Sequence, residues 1–254
     1  MTTTAPEADA KATRNMISHA RDLIAAVAPD HANRAVARLL VDGIAELDGR
    51  AAPDWPALPA PVHPDVLADA RTVLGGVDMT GWTVNDVGAV YTWLTGHDGA
   101  SYYTPTVAAE AMVALSIGPQ LDRLSAFPDP GSVLGVLAVD PSCGAGVFLV
   151  AAARLIAVRY AERLFGGADA ITTAIVMPEV MDECVFGIDI DPTAVDLARA
   201  ALWMEVRGQP ITFMDRNIIC GDPLSGPNVQ PPRLAERLAE TTPYTEPTEP
   251  GEHS

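Results

Sequence analysis

The chain has 254 residues, 33 of them acidic against 16 Lys and Arg, for a formal net charge of −17. That balance argues against a protein that grips a nucleic-acid duplex unaided by displacing counterions from phosphates. With 48% hydrophobic residues, the chain is rich enough for one substantial core plus an appendage, which excludes a wholly disordered polypeptide. The three cysteines, Cys143, Cys184 and Cys220, show no Cys-x-x-Cys spacing and read as buried thiols, not as metal ligands or a disulfide framework. No metal site is expected. The absence of a continuous apolar segment of signal-peptide or membrane-span length makes cytoplasmic residence, with no membrane partner, the expectation.

The first elements read as helical. Residues 12–47 carry apolar side chains at helical spacing (Ile17, Leu23, Ile24, Val27, Val36, Leu39, Leu40 and Ile44). A Pro-rich stretch at 52–64 reads as a linker and 66–74 and 84–94 as short helices, with the helical N-terminal region drawn over 1–82. His97 and Asp98 fall in a Gly-rich stretch whose plain reading is a surface loop. Thr104-Pro105, taken alone, is an ordinary helix start.

The chemistry begins after the run 133–139, which is almost uniformly apolar. It predicts a strand covered on both faces in a parallel sheet. Asp140 then stands at the strand's carboxyl end, where open α/β sheets bind ligands. In Asp140-Pro141-Ser142-Cys143-Gly144-Ala145-Gly146 the glycines let backbone N–H groups approach a ligand, and the helix that follows offers its unpaired donors. A lone Gly-x-Gly is also compatible with a tight turn that binds nothing. Where the dinucleotide fingerprint has its third glycine, this chain has Leu149, and an acidic residue opens the loop. A carboxylate repels a pyrophosphate but suits an ammonium or sulfonium, so the loop leans away from nicotinamide dinucleotides and toward S-adenosylmethionine.

Two further units repeat the arrangement. An inserted helix at 168–182 leads to a short apolar strand at 185–188 that ends in Asp189, the expected partner of ribose hydroxyls. Asp191-Pro192 reads first as an N-cap with proline at the first helical position, opening a helix over 193–206. Apolar segments at 211–213 and 217–220 precede Asp222, whose carboxylate could accept from an adenine amino group. Three acidic strand ends in series are hard to explain as caps alone.

These segments resemble the DNA adenine-N6 methyltransferases of restriction-modification systems, particularly the modification subunits of type I systems. The match covers residues 99–224 in four segments, and it implies a Rossmann-like S-adenosylmethionine-dependent methyltransferase sheet, strands 1–3 only, within a core at 83–226. It implies cofactor contacts at Tyr103, Thr104 and Pro105 for the methionine part, at Asp140, Pro141, Ser142, Cys143, Gly144 and Gly146 in the loop, at Asp189 for ribose and at Asp222 for adenine. In that family an Asn-Pro-Pro-aromatic motif presents a flipped-out adenine, whose amino group attacks the sulfonium methyl in line.

That motif is missing from the sequence. The nearest string, Asn228-Val229-Gln230-Pro231-Pro232-Arg233, follows Asp222 too soon for a crossover to a fourth parallel strand, and it reads as a linker. No catalytic residue is assigned. Residues 227–254 read as a Pro/Glu-rich tail, with a short helix at 232–240 and the composition of disorder at 241–254. Lacking a fourth strand, the apolar first strand becomes a sheet edge, which calls for cover from the N-terminal region or from a partner chain. The expected protein is thus the cofactor-binding half of a DNA adenine methyltransferase of restriction-modification or phage-defence type. A partner supplies the catalytic motif and target recognition, and DNA is bound through the complex. The alternatives are a non-catalytic regulatory subunit and a truncated, inactive methyltransferase. Arg14, Arg21, Arg34, Arg38 and Arg50 read as a solvated helical face.

Overall fold

In a computed structural model that describes residues 5–55, 57–59, 61–95, 104–206, 214–225 and 229–240, the chain is a mixed α/β protein, mostly helical, with one small parallel sheet. The helical pattern at 12–47 resolves into α1 (Ala5–Ala25) and α2 (Ala32–Asp48). Pro29 opens a 3-10 turn between them, because proline fixes φ and cannot donate within a continuing helix. Ile17, Ile24, Val36, Leu40 and Ile44 reach the core, whereas Val27 falls in the break and is exposed. The described residues of 52–63 are irregular, as their prolines predict, yet several pack against the core. Val62 is buried, Trp55 and Leu58 pack on the core, and the Trp55 indole donates to Asp42 at 3.3 Å. Then come α3 (Pro64–Leu74), α4 (Val84–Thr95) and α5 (Thr106–Ser125).

The run 133–139 departs from its expected strand. Asp129-Pro130-Gly131 starts a 3-10 helix over Pro130–Gly135: the Asp129 carboxylate accepts the Gly131 N–H, and the Ser132 hydroxyl donates to the Leu124 carbonyl at 2.7 Å. Turn chemistry here overrides an apolar pattern: Val133 reaches the core from the 3-10 helix and Val136 from the extended residue that follows it. The strand, β1, is only Ala138–Asp140. It is followed by α6 (Val147–Phe165), α7 (Ala170–Cys184), β2 (Val185–Asp189), α8 (Pro192–Glu205), a single turn α9 (Met214–Asn217), β3 (Ile218–Cys220) and α10 (Pro232–Glu240). Residues 211–213 and 241–254 lie outside the described residues, so the readings made there stand as sequence alone.

The sheet order is β1-β2-β3, all parallel, with Asp140 opposite Gly187 and Asp189 opposite Cys220. Every residue of β2 is buried. Asn217, just before β3, is buried too, its amide donating to the carbonyls of Met181 and Val185. Helix α8 lies between the sheet and the N-terminal helices, touching β2, β3, α2 and α4, and is buried continuously from Thr193 to Trp203.

At the centre of that layer Asp196 is 1% exposed. It accepts a bidentate pair from Arg34 (2.6 and 3.0 Å) and a third bond from Arg38 (2.7 Å). Arg50 stacks over Trp203 at 3.9 Å and donates to the Val206 carbonyl, beside the negative end of α8. Three of the five N-terminal arginines are therefore internal fasteners, not a solvated basic face. The amino ends of the strands are closed by α10, where Arg237 donates to the Leu134 carbonyl at 2.8 Å and Arg233 pairs with Glu183. Among the described residues no single helix is long and apolar enough to cross a membrane.

Candidate cofactor crevice

At the opposite, carboxyl end of the sheet the chain turns sharply after Asp140. The Ser142 N–H donates back to the Asp140 carboxylate at 3.0 Å, and the Cys143 N–H continues the β1–β2 ladder to the Ile188 carbonyl at 3.0 Å. The Cys143 side chain points down into the core, not outward. Burial raises its thiol well above its ordinary value, and the charges of Asp140 and Asp189 add to the rise, so it is a packing thiol and not a nucleophile. Cys184 is likewise buried, but Cys220 is exposed, contrary to its expected burial, because β3 ends there at the rim of the crevice.

The two loop glycines have different jobs. Both have positive φ (+53° at Gly144, +87° at Gly146), a region that favours glycine. A Cβ on Gly146 would lie 2.9 Å from the Ala198 backbone, so this glycine is required for the loop to sit against α8. A Cβ on Gly144 would meet nothing within 4 Å, so the space beside it is open.

Asp189 holds the loop to β2. One carboxylate oxygen accepts the Gly144 N–H at 2.8 Å and the other the Asp191 N–H at 2.9 Å. Asp191 in turn caps α8 through the Thr193 N–H at 2.8 Å, with Pro192 in the first turn, the structural role its sequence predicts. It has a second partner that sequence reasoning missed. Tyr91, half-buried on α4, lies within reach of the Asp191 charge; burial raises its phenol first, and Asp191 raises it further. A contact made a hundred residues away leaves no periodic mark in the sequence.

Asp222 follows β3 past Gly221, whose N–H donates to the Asp189 carbonyl at 2.9 Å. One Asp222 oxygen accepts the Leu224 N–H at 2.9 Å. The structure thus gathers Asp140, Ser142, Cys143, Gly144 and Asp189 into one cluster, with Asp222 on the adjoining strand end. Gly146 lies beneath the cluster and Pro141 is exposed on the turn. Pro105 is placed elsewhere in the chain's course, as the N-cap of α5, with Thr104 half-buried just before it; Tyr103 lies outside the described residues. Among the described residues no group of three or more His, Cys, Asp and Glu is placed to hold a metal ion.

No family profile, curated protein or solved structure matches this chain. The chemistry of the crevice therefore rests on its own geometry.

Asp140 gives that chemistry a measurable sign. Burial, with the Asp189 charge adding and the Ser142 N–H opposing, holds its carboxyl above the ordinary 3.8. A carboxyl that titrates higher when folded stabilises the fold fully below its unfolded value, and that contribution is lost as pH rises through the raised value. At neutral pH the Asp140 charge is thus a net cost to the empty protein. Asp140→Asn keeps an oxygen for Ser142 and is expected to raise the melting temperature at pH 7, with the gain fading below about pH 4. Thermal denaturation across pH checks it, and a lower melting temperature at pH 7 would contradict the assignment.

Proposed function

We propose that this chain is the S-adenosylmethionine-binding part of a DNA adenine-N6 methyltransferase, with the residues that present the acceptor base on another polypeptide. On this reading the three parallel strands are strands 1–3 of a Rossmann-like methyltransferase sheet. The observation that carries it is the joining of Asp140, the Gly144 loop and Asp189 at the carboxyl ends of adjacent parallel strands, with Asp222 ending the third.

The residues fit the proposed cofactor. The open space at Gly144 leaves room for a ligand against the backbone, and the surrounding carboxylates match the ammonium and sulfonium charges while disfavouring a pyrophosphate. Each Asp189 oxygen accepts one N–H and keeps a lone pair, enough for a ribose hydroxyl; Asp222 has an oxygen beyond the one that accepts from Leu224. S-adenosylmethionine supplies an electrophilic methyl group. Within this chain Asp189 orients ribose while fixing the loop, Asp140 offers negative charge to the cationic end, and Cys143 anchors the loop from beneath.

The string 228–233 does not compensate for the missing motif. Asn228 lies outside the described residues, Pro232 opens α10, and Arg233 pairs with Glu183 at the far end of the sheet from the crevice. The same lack of an Asn-Pro-Pro-aromatic motif supports a second reading, a cofactor-binding regulatory subunit or an inactive truncated methyltransferase.

Calorimetry is expected to show S-adenosylmethionine binding and no NADH binding. Tritiated cofactor with adenine-containing DNA is expected to show no methyl transfer by this chain alone. NADH binding without S-adenosylmethionine binding would refute the cofactor assignment, and transfer by the chain alone would refute the split.

A further inference from the structure

Among the described residues, strand β1 is paired with β2 on one side and with no strand on the other. Of the described N-terminal helices, α2 and α4 pack on α8 and α4 on α6, away from the outer side of β1, and Val139 is 45% exposed. Beside that edge lies a recess of about 420 Å³, walled by Val113, Ser116 and Ile117 of α5 and floored by Phe148 and Ala152 of α6. Asp140, at its upper end, is the one charged residue among the described residues of the lining. Met112, one turn before Ser116 on α5, is 56% exposed beside it. An uncovered edge presents backbone donors and acceptors ready for another strand, and apolar flanks make that edge a recognition surface.

We propose that the free edge of β1 receives an extended, neutral, largely apolar strand from a separate polypeptide, whose side chains fill the recess between α5 and α6. This deepens the partner reading above and rests on it only for the partner's identity. Residues 241–250 are a poor occupant. Helix α10, which precedes them in sequence, meets the segment leading into β1 through Arg237 on the Leu134 carbonyl. The sequence that follows, however, is Thr241-Thr242-Pro243-Tyr244-Thr245-Glu246-Pro247-Thr248-Glu249-Pro250. Its prolines remove ladder donors at every third or fourth residue, and Glu246 and Glu249, three apart, would turn one carboxylate toward an apolar recess in either register.

The test uses the full chain and a fluorescein-labelled synthetic peptide of about a dozen residues, alternating Val or Ile with Thr or Ser, set against a proline-interrupted control. Anisotropy is expected to show saturable binding of the first peptide only, weakened about tenfold or more by Val139→Lys and by Ser116→Trp. Both substitutions are at exposed positions, and circular dichroism verifies that each variant is folded. Absence of binding, binding unchanged in both folded variants, or a homodimer that the peptide dissociates and Val139→Lys abolishes would overturn the proposal, the last by giving the edge to a second copy. Calorimetry with S-adenosylmethionine on the same preparations separates the two ideas. Cofactor binding without peptide binding sinks the strand dock alone, and the reverse outcome sinks the cofactor reading alone.

Discussion

Asp196→Ala is expected to lower the unfolding free energy by about 3–5 kcal/mol, the range for breaking a buried ion pair by removing one partner. The two guanidiniums it serves have side chains only 14% and 10% exposed, so deleting the carboxylate leaves Arg34 and Arg38 desolvated without the acceptor both share. The loss is a large share of the roughly 5–15 kcal/mol by which most domains are stable. It also falls at the seam where α2 meets α8, so the N-terminal helices are expected to loosen before the sheet. Urea denaturation followed by tryptophan fluorescence checks the first point, and amide hydrogen exchange along α2 and α8 checks the second. A loss below about 1 kcal/mol, the range of an exposed pair, would show that water reaches the cluster.

Asp189→Ala is expected to weaken S-adenosylmethionine binding by about 10- to 100-fold. Loss of one hydrogen bond to a charged group is worth about 1.5–3 kcal/mol, and each 1.4 kcal/mol is a factor of ten in affinity. The substitution has a second consequence, because the Gly144 and Asp191 N–H groups lose their common acceptor. Asp189→Asn separates the two effects. Its amide oxygen can still accept one of these N–H groups, but its NH2 faces the other, donor against donor. The asparagine variant should therefore disturb the loop on one side only, which the exchange rates of the Gly144 and Asp191 amides report. Unchanged calorimetric affinity in both variants would remove Asp189 from the binding site.

Local chemistry in the sequence was a good guide wherever local forces decide the outcome. The apolar spacing at 66–74, the Asp191-Pro192 opening of α8 and the apolar run of β2 each place their element to within a residue or two. The run 133–139 misleads because apolar periodicity does not distinguish a buried strand from a buried 3-10 turn, and the deciding residues, Asp129-Pro130-Gly131, precede it. The arginines of α2 mislead for a different reason. Their partner is on α8, more than 150 residues away, and nothing near Arg34 or Arg38 announces a buried carboxylate. The same holds for Tyr91 and Asp191, joined across α4 and the start of α8. In the crevice, sequence pointed to Asp140, Gly144 and Asp189 as acidic or glycine positions at strand ends. It did not show that Asp189 is itself bonded to the loop, since that depends on strand register.

The bulky Leu149, where a dinucleotide loop has its third glycine, is accommodated from the other side of the contact. A Cβ on Gly187 of β2 would lie 2.8 Å from a Leu149 methyl and 3.1 Å from the Cys143 sulfur. The small residue that lets helix and strand approach has thus moved from the helix to the strand, and the side chain that fills the gap has moved the opposite way. What a linear fingerprint scores as a missing glycine is one volume shared by two positions. Loops of this kind are better sought by pairing the third loop position with the strand residue facing it than by reading the loop alone.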